Sequence, residues 1–220
     1  MINLQGLPQI VTAVGALGTA AFGLVDASKA LGGGVNHIGF GAIKKLARSL
    51  TPGTQANALS QNKVVATLQA NWFNGTDLTS QKSIAKSLIK LNLSPANARD
   101  VATATGVDPD ALSTITTSLA AATPLTSTQS DIYARFDLIL TALLDEVYQR
   151  SDNLYRNWTR AIAALVAIGL AIIGGYALNP PMPNWESVLV GLIATPLAPI
   201  AKDVSSALAT AVNTMQAVRK

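Results

Sequence analysis

From Ala161 to Ala201 the chain carries a single charged residue, Glu186, and from Met1 to Val25 it carries none. Runs that long leave two environments open, the interior of a large soluble helical assembly or lipid. A membrane-spanning helix needs roughly 20 mostly apolar residues, with a lower limit of about 17. Leu7 to Val25 and Ala161 to Leu178 meet that limit. A third apolar run, from about Val188 to Ala201, is shorter and contains Pro196 and Pro199, so a kinked span or a re-entrant segment is expected there. Asn179-Pro180-Pro181 and Pro183 enforce a tight reversal between the second and third runs. Composition sides with lipid. Hydrophobic residues make up 49% of the 220 and charged residues 13%, against about 25% charged in an average soluble domain.

Lys and Arg placement sets an orientation, because cytoplasmic loops retain basic residues. None of the 16 lies before the first apolar run or in the Pro-rich connection. All fall between Lys29 and Arg160 or after the third run. The sequence therefore predicts a multi-pass protein of the cell (inner) membrane, with its N-terminus outside and its C-terminus cytoplasmic. Trp158 and Trp185 stand near the ends of the second run and its loop, where interfacial aromatics belong. The N-terminus lacks the basic stretch of a cleaved secretory signal.

The fold class that follows is all-α: about three membrane segments, with a cytoplasmic helical bundle continuous with the second span. The expected organisation is a first membrane segment at 1–31, then a Gly-rich turn and basic interfacial helix at 32–53. A helical bundle follows at 54–126, and a long helix entering the second span at 127–178. The Pro-rich turn and third segment occupy 179–202, and an amphipathic helix closes the chain at 203–220. In the interfacial helix Ile43, Leu46, Ala47 and Leu50 share one face, while Lys44, Lys45 and Arg48 occupy the other and point toward anionic headgroups. Within the bundle, helices are expected from Thr54 to Phe73, from a cap at Thr79 or Ser80 to Leu91, from Ser94-Pro95 to Gly106, and from Asp108-Pro109 to about Ala122. The long helix starts near Ser127, with apolar positions Ile132, Phe136, Ile139 or Leu140, Leu143, Val147, Leu154 and Trp158.

Both long apolar runs carry small residues four apart. These are Gly15, Thr19, Gly23 and Ala27 in the first, and Ala163, Ala167, Ala171 and Gly175 in the second. In lipid such rows let backbones approach and drive helix association, within one chain or between copies. Lys82, Lys86 and Lys90 recur along one helix face, the pattern of a solvated surface.

The stretch from Ala98 to Leu119 resembles the helix-turn-helix of LacI-type repressors through Asp100-Val101-Ala102, Gly106-Val107, Pro109, Ser113 and Ile115. The resemblance implies two crossing helices joined at Gly106. It does not extend to base reading, which needs Arg, Lys, Asn or Gln on the second helix. That helix opens Asp108-Pro109-Asp110 and has no basic or amide side chain through Ala122. No nucleic-acid partner is expected.

Catalysis finds no set of residues to rest on. His37 is the one histidine, there is no Cys, the carboxylates are scattered, and Gly32-Gly33-Gly34 lacks the Lys-Ser/Thr of a phosphate loop. No catalytic residue, metal or cofactor is predicted. The function expected is a non-enzymatic, homo-oligomeric membrane scaffold or anchor, with the lipid bilayer and an unidentified cytoplasmic protein as partners. A pore-forming assembly is the alternative, and a membrane-tethered regulator built on the degenerate helix-turn-helix ranks below it.

Overall fold

The computed structural model describes residues 7–53, 59–178 and 180–198. Every regular element among them is helical. α1 spans Leu7–Ala27, followed by short 3-10 turns at Ser28–Ala30 and Gly34–His37. Next come α2 (Phe40–Leu50), α3 (Gln61–Phe73), α4 (Leu78–Asn92), α5 (Ala98–Thr105), α6 (Pro109–Ala120) and α7 (Ser127–Tyr176). α8 covers residues 184–198. The chain divides into two compact units, one of residues 36–155 and one of residues 1–35 with 156–220.

The unit of residues 36–155 is a helical bundle around one apolar core. α2 contributes Phe40, Ile43, Ala47 and Leu50, all buried. Its apolar face is thus spent on the bundle, which corrects the expectation of a helix lying in the lipid interface. α3 adds Val64, Val65, Leu68 and Trp72, α4 adds Ala85 and Ile89, and α5 adds Val101 and Ala102. α7 closes the core with Phe136, Leu140, Leu144 and Tyr148. These four recur every fourth residue, so one side of α7 faces inward for more than three turns. Leu154 and Trp158 of the expected seam are exposed.

Local chemistry fixes the helix ends. Ser60 caps α3 by accepting from the Lys63 N–H, and residues 54–58 of the helix expected there lie outside the described residues. Asp77, not Thr79 or Ser80, caps α4, accepting from Ser80 N at 2.8 Å. α5 starts at Ala98 rather than at Ser94-Pro95 because Asn97 captures the turn: its Oδ1 accepts from Ser94 N at 2.8 Å, and its Nδ2 donates to Asn92 O at 2.7 Å. Gly106 ends α5 in the left-handed region at φ 70°, which glycine adopts without steric cost. Asp108 caps α6 by accepting from Ala111 N at 2.7 Å, with Pro109 in the first turn.

At the head of the bundle the Trp72 indole donates to Asn36 O at 2.8 Å, and Asn36 Nδ2 donates to Phe73 O at 3.0 Å. The pair ties the 3-10 turn to the end of α3. Gly39 has φ 89°, and a Cβ there would stand 2.6 Å from Ser151 O. Both conformation and space demand glycine at this position.

In the other unit, α1, α8 and the part of α7 from Arg156 onward pack through small residues. Ala21, Ala167 and Ala194 form the buried centre, with Val14, Leu17, Val166 and Leu170 against it. Residues 177–178 and 180–183 lie at the reversal, where Met182 N donates to Gly175 O at 3.0 Å. α8 stays helical through Pro196. Residues 199–201 of the expected third segment, and the amphipathic helix expected at 203–220, lie outside the described residues.

Candidate functional site

Two helices are long and apolar enough to cross a membrane: Ile10–Ala30, counted with its 3-10 end, and Ser127–Tyr176. In each, only 22% of the most apolar window is buried. A core helix of a soluble protein hides most of such a window, and these two do not. The described part of α8 is shorter than either.

The residues these helices bury are the small ones. Along α1 the inward face is Gly15, Gly18, Ala21 and Val25, all buried. A Cβ on Gly18 would overlap the Ala194 carbonyl of α8, and one on Gly191 would overlap the Ile168 backbone of α7. Ala163 and Ala167 are fully buried, Ala171 is 8% exposed, and Gly175 is buried against Ser187. The α7 row read from the sequence is therefore used within the chain. Only Gly15 of the α1 row faces the same way. Thr19, Gly23 and Ala27 are exposed, and nothing stands within 4 Å of a Cβ built on Gly23. Thr19 Oγ1 donates to Gly15 O at 3.0 Å. The inward residues Gly18, Ala21, Gly191, Ala194 and Ala198 escaped the sequence reading. Their spacing of three and four residues was visible, but α1 also holds small residues at 19, 20, 23 and 27, and a four-residue rule cannot choose between adjacent rows.

Many of the large side chains point outward. Ile10, Leu24, Leu165, Ile173, Leu189, Leu192 and Ile193 are all exposed. Trp158 and Tyr176 are exposed too. They sit 18 residues apart on one helix, which at about 1.5 Å per residue separates them by about 27 Å, close to the roughly 30 Å of a hydrocarbon core. Trp185 is exposed just past the reversal. Arg160 is the one charged residue inside the interval from Trp158 to Tyr176, two positions from its Trp158 end, and Arg156 precedes it; on α1, Asp26 pairs with Lys29 past the apolar part.

The bundle carries its charge in two arrangements. On one, α4 is clipped to α7 by a ladder. Lys82 Nζ lies 2.5 Å from Asp145, Lys90 Nζ lies 3.0 Å from Asp137, and Lys86 pairs with Asp137 as well. Lys86 also donates to Thr141 Oγ1 at 2.9 Å. Burial pushes the Asp137 carboxyl up, and hydrogen bonds from Lys86 and Lys90 more than offset it, so it titrates below its ordinary value of 3.8. Burial likewise lowers Lys90, but Asp137 and Tyr133 outweigh that and hold it above 10.5. The groove of about 250 Å³ beside the ladder is lined by Thr79, Lys82, Ser83, Lys86, Thr141 and Asp145. Its ammonium groups are already satisfied by carboxylates, so it acts as a clasp.

The second arrangement is unpaired. Lys45 and Arg48 are exposed on α2, and Lys44 is half-buried beside them. None of the three makes an ion pair with a described residue. Tyr148 is buried in the core, where burial pushes its hydroxyl up. Among the described residues, no three His, Asp or Glu converge as a metal site. α5 and α6 pack against each other across the Gly106 turn, and Arg99 meets Asp110 at 2.7 Å on the surface. Comparison with protein-family models, with curated proteins and with solved structures finds no match.

Proposed function

We propose that this chain is a non-enzymatic, multi-pass anchor or scaffold subunit of the cell membrane, holding a helical bundle on the cytoplasmic side. One observation carries the reading. In the described part of the unit of residues 1–35 and 156–220, the buried centre is made by the small residues Ala21, Ala167 and Ala194, with Leu17 and Leu170 only partly buried against it, while Leu165, Ile173, Trp158 and Tyr176 are exposed. In water the hydrophobic effect favours hiding the largest apolar side chains first. In lipid, tails solvate Leu and Ile as well as a neighbouring helix would, and close backbone approach through small residues becomes the organising force.

α8 and the chain beyond it supply the third membrane segment in this proposal. Assembly into a homo-oligomer would use the exposed row Thr19, Gly23 and Ala27, because the α7 row already has partners inside the chain. A conducting path gains no support, since the buried centre is Ala21, Ala167 and Ala194 with no charged side chain among them. Orientation is tested with Asn184→Cys and Ser130→Cys, both at exposed positions in a chain without cysteine. Asn184→Cys should react with an impermeant reagent on intact cells, and Ser130→Cys only after lysis. Equal labelling of both in intact cells would overturn the orientation.

A further inference from the structure

We propose that the α2 end of the bundle is an electrostatic docking surface for anionic lipid headgroups, made by Lys44, Lys45, Arg48 and Lys63. The inference rests on the membrane reading and adds to it a lipid class and a mode of contact. From Ala27 to Thr76 the sequence has no Asp or Glu, yet it holds Lys29, Lys44, Lys45, Arg48 and Lys63. Elsewhere in the bundle the cations of α4 find carboxylates, Lys82 with Asp145 and Lys86 and Lys90 with Asp137. Lys44, Lys45, Arg48 and Lys63 have no such partner among the described residues. Gln61 Nε2 donates to Arg48 O and Thr51 O, both at 3.0 Å. That clamp holds the first turn of α3 against the last turn of α2, bringing Lys63 to the same end as Arg48.

The mode of contact follows from what α2 buries. Phe40, Ile43, Ala47 and Leu50 are committed to the bundle core, so α2 has no apolar face to insert among acyl chains. Attraction is left to charge alone and should be screened within about 8–10 Å at moderate salt. Covalent continuity selects lipid over other polyanions. Residues 28–39 alone join the end of α1 to the start of α2, so a bilayer that holds α1 keeps this cationic patch on a short tether. Each basic side chain near an anionic leaflet adds about fivefold to partitioning.

The test uses the full chain in nanodiscs, with a fluorophore on Ser49→Cys, an exposed position of α2 beside Arg48. Quenching is read from headgroup-spin-labelled lipid. It should be weak in purely zwitterionic discs, rise with the fraction of anionic lipid, and fall back when salt is raised to about 0.5 M. Replacing Lys44, Lys45 and Arg48 together by Gln should weaken the dependence on anionic lipid by on the order of 100-fold. A fluorophore on Leu165→Cys, read with acyl-chain quenchers, reports membrane embedding regardless of lipid charge. Quenching at Leu165→Cys with no response of Ser49→Cys to anionic lipid overturns the docking surface and leaves the membrane reading standing. Loss of the Leu165→Cys signal removes both. A response of Ser49→Cys to short RNA, with none to anionic lipid, would also overturn the proposal and assign the face to nucleic acid.

Discussion

At the scale of single residues, Asp137 and Gly18 do the most with the least. Asp137 accepts from two lysines while about 29% exposed, so its charge is only partly screened by water. Its carboxyl titrates below the ordinary 3.8, and a depressed acid stabilises the folded state fully above its unfolded pKa. The contribution fades as pH falls through the lower folded value. The bundle should therefore lose stability below about pH 4 in the wild type, and Asp137→Asn should remove part of that acid sensitivity. At neutral pH the same change should cost about 1–2 kcal/mol, read from denaturant unfolding in detergent. Asp110→Asn, at the exposed Arg99 pair, should cost less than about 0.5 kcal/mol. An equal cost at the two sites would show that the ladder is no clasp. Gly18 and Gly23 make a second contrast. Gly18→Ala has to displace the Ala194 carbonyl and should destabilise by about 1–3 kcal/mol, whereas Gly23→Leu meets open space. Gly23→Leu should keep the thermal midpoint and lower the native mass of the particle in detergent. An unchanged mass would remove the α1 row as an assembly surface.

Among elements, helix boundaries show where sequence is enough and where it is not. Asp108-Pro109 encodes its own cap, because the carboxylate reaches Ala111 N without help from the rest of the fold. Asp108→Ala should lower bundle stability by about 1 kcal/mol in a thermal melt, and no change would mean that tertiary packing alone sets the start of α6. Ser94-Pro95 offers the same local signal, yet α5 starts later, since Asn97 bonds across the turn to Asn92 and Ser94. The caps compete, and neighbouring chain decides. α2 fails in a different way. Its amphipathic pattern is equally good for lipid or for a core, and only the presence of α3, α4 and α5 against it in the folded chain selects the core. Lys82, Lys86 and Lys90 look like a solvated face because their partners lie more than 45 residues away on α7. Long-range pairing of that kind leaves no trace in local periodicity. The Asp108 cap, the Gly106 turn and the start of α7 were legible because each is a decision made within a few residues.

For the whole molecule, the distribution of size and polarity matters more than any one contact. α7 is a single helix of 50 residues, about 75 Å long, and it contributes to both compact units. Its first half buries Phe136, Leu140, Leu144 and Tyr148 in a core, as a soluble helix does. Its second half buries Ala163, Ala167 and Ala171 and exposes Leu165 and Ile173, as a helix in lipid does. The division into an apolar and a charged part was readable in the sequence, because charge-free runs need no tertiary information. The choice of α1 face was not, because it depends on where Ala194 and Ala198 sit on α8. The most direct test compares two leucines of equal exposure on this one helix, Leu138 at 71% and Leu165 at 68%. A fluorophore on Leu138→Cys or Leu165→Cys, in the full chain reconstituted into vesicles, is challenged with lipids that carry a quencher on the acyl chain. The account predicts strong quenching at Leu165→Cys and none at Leu138→Cys. Absence of quenching at Leu165→Cys, or equal quenching at both, would contradict it.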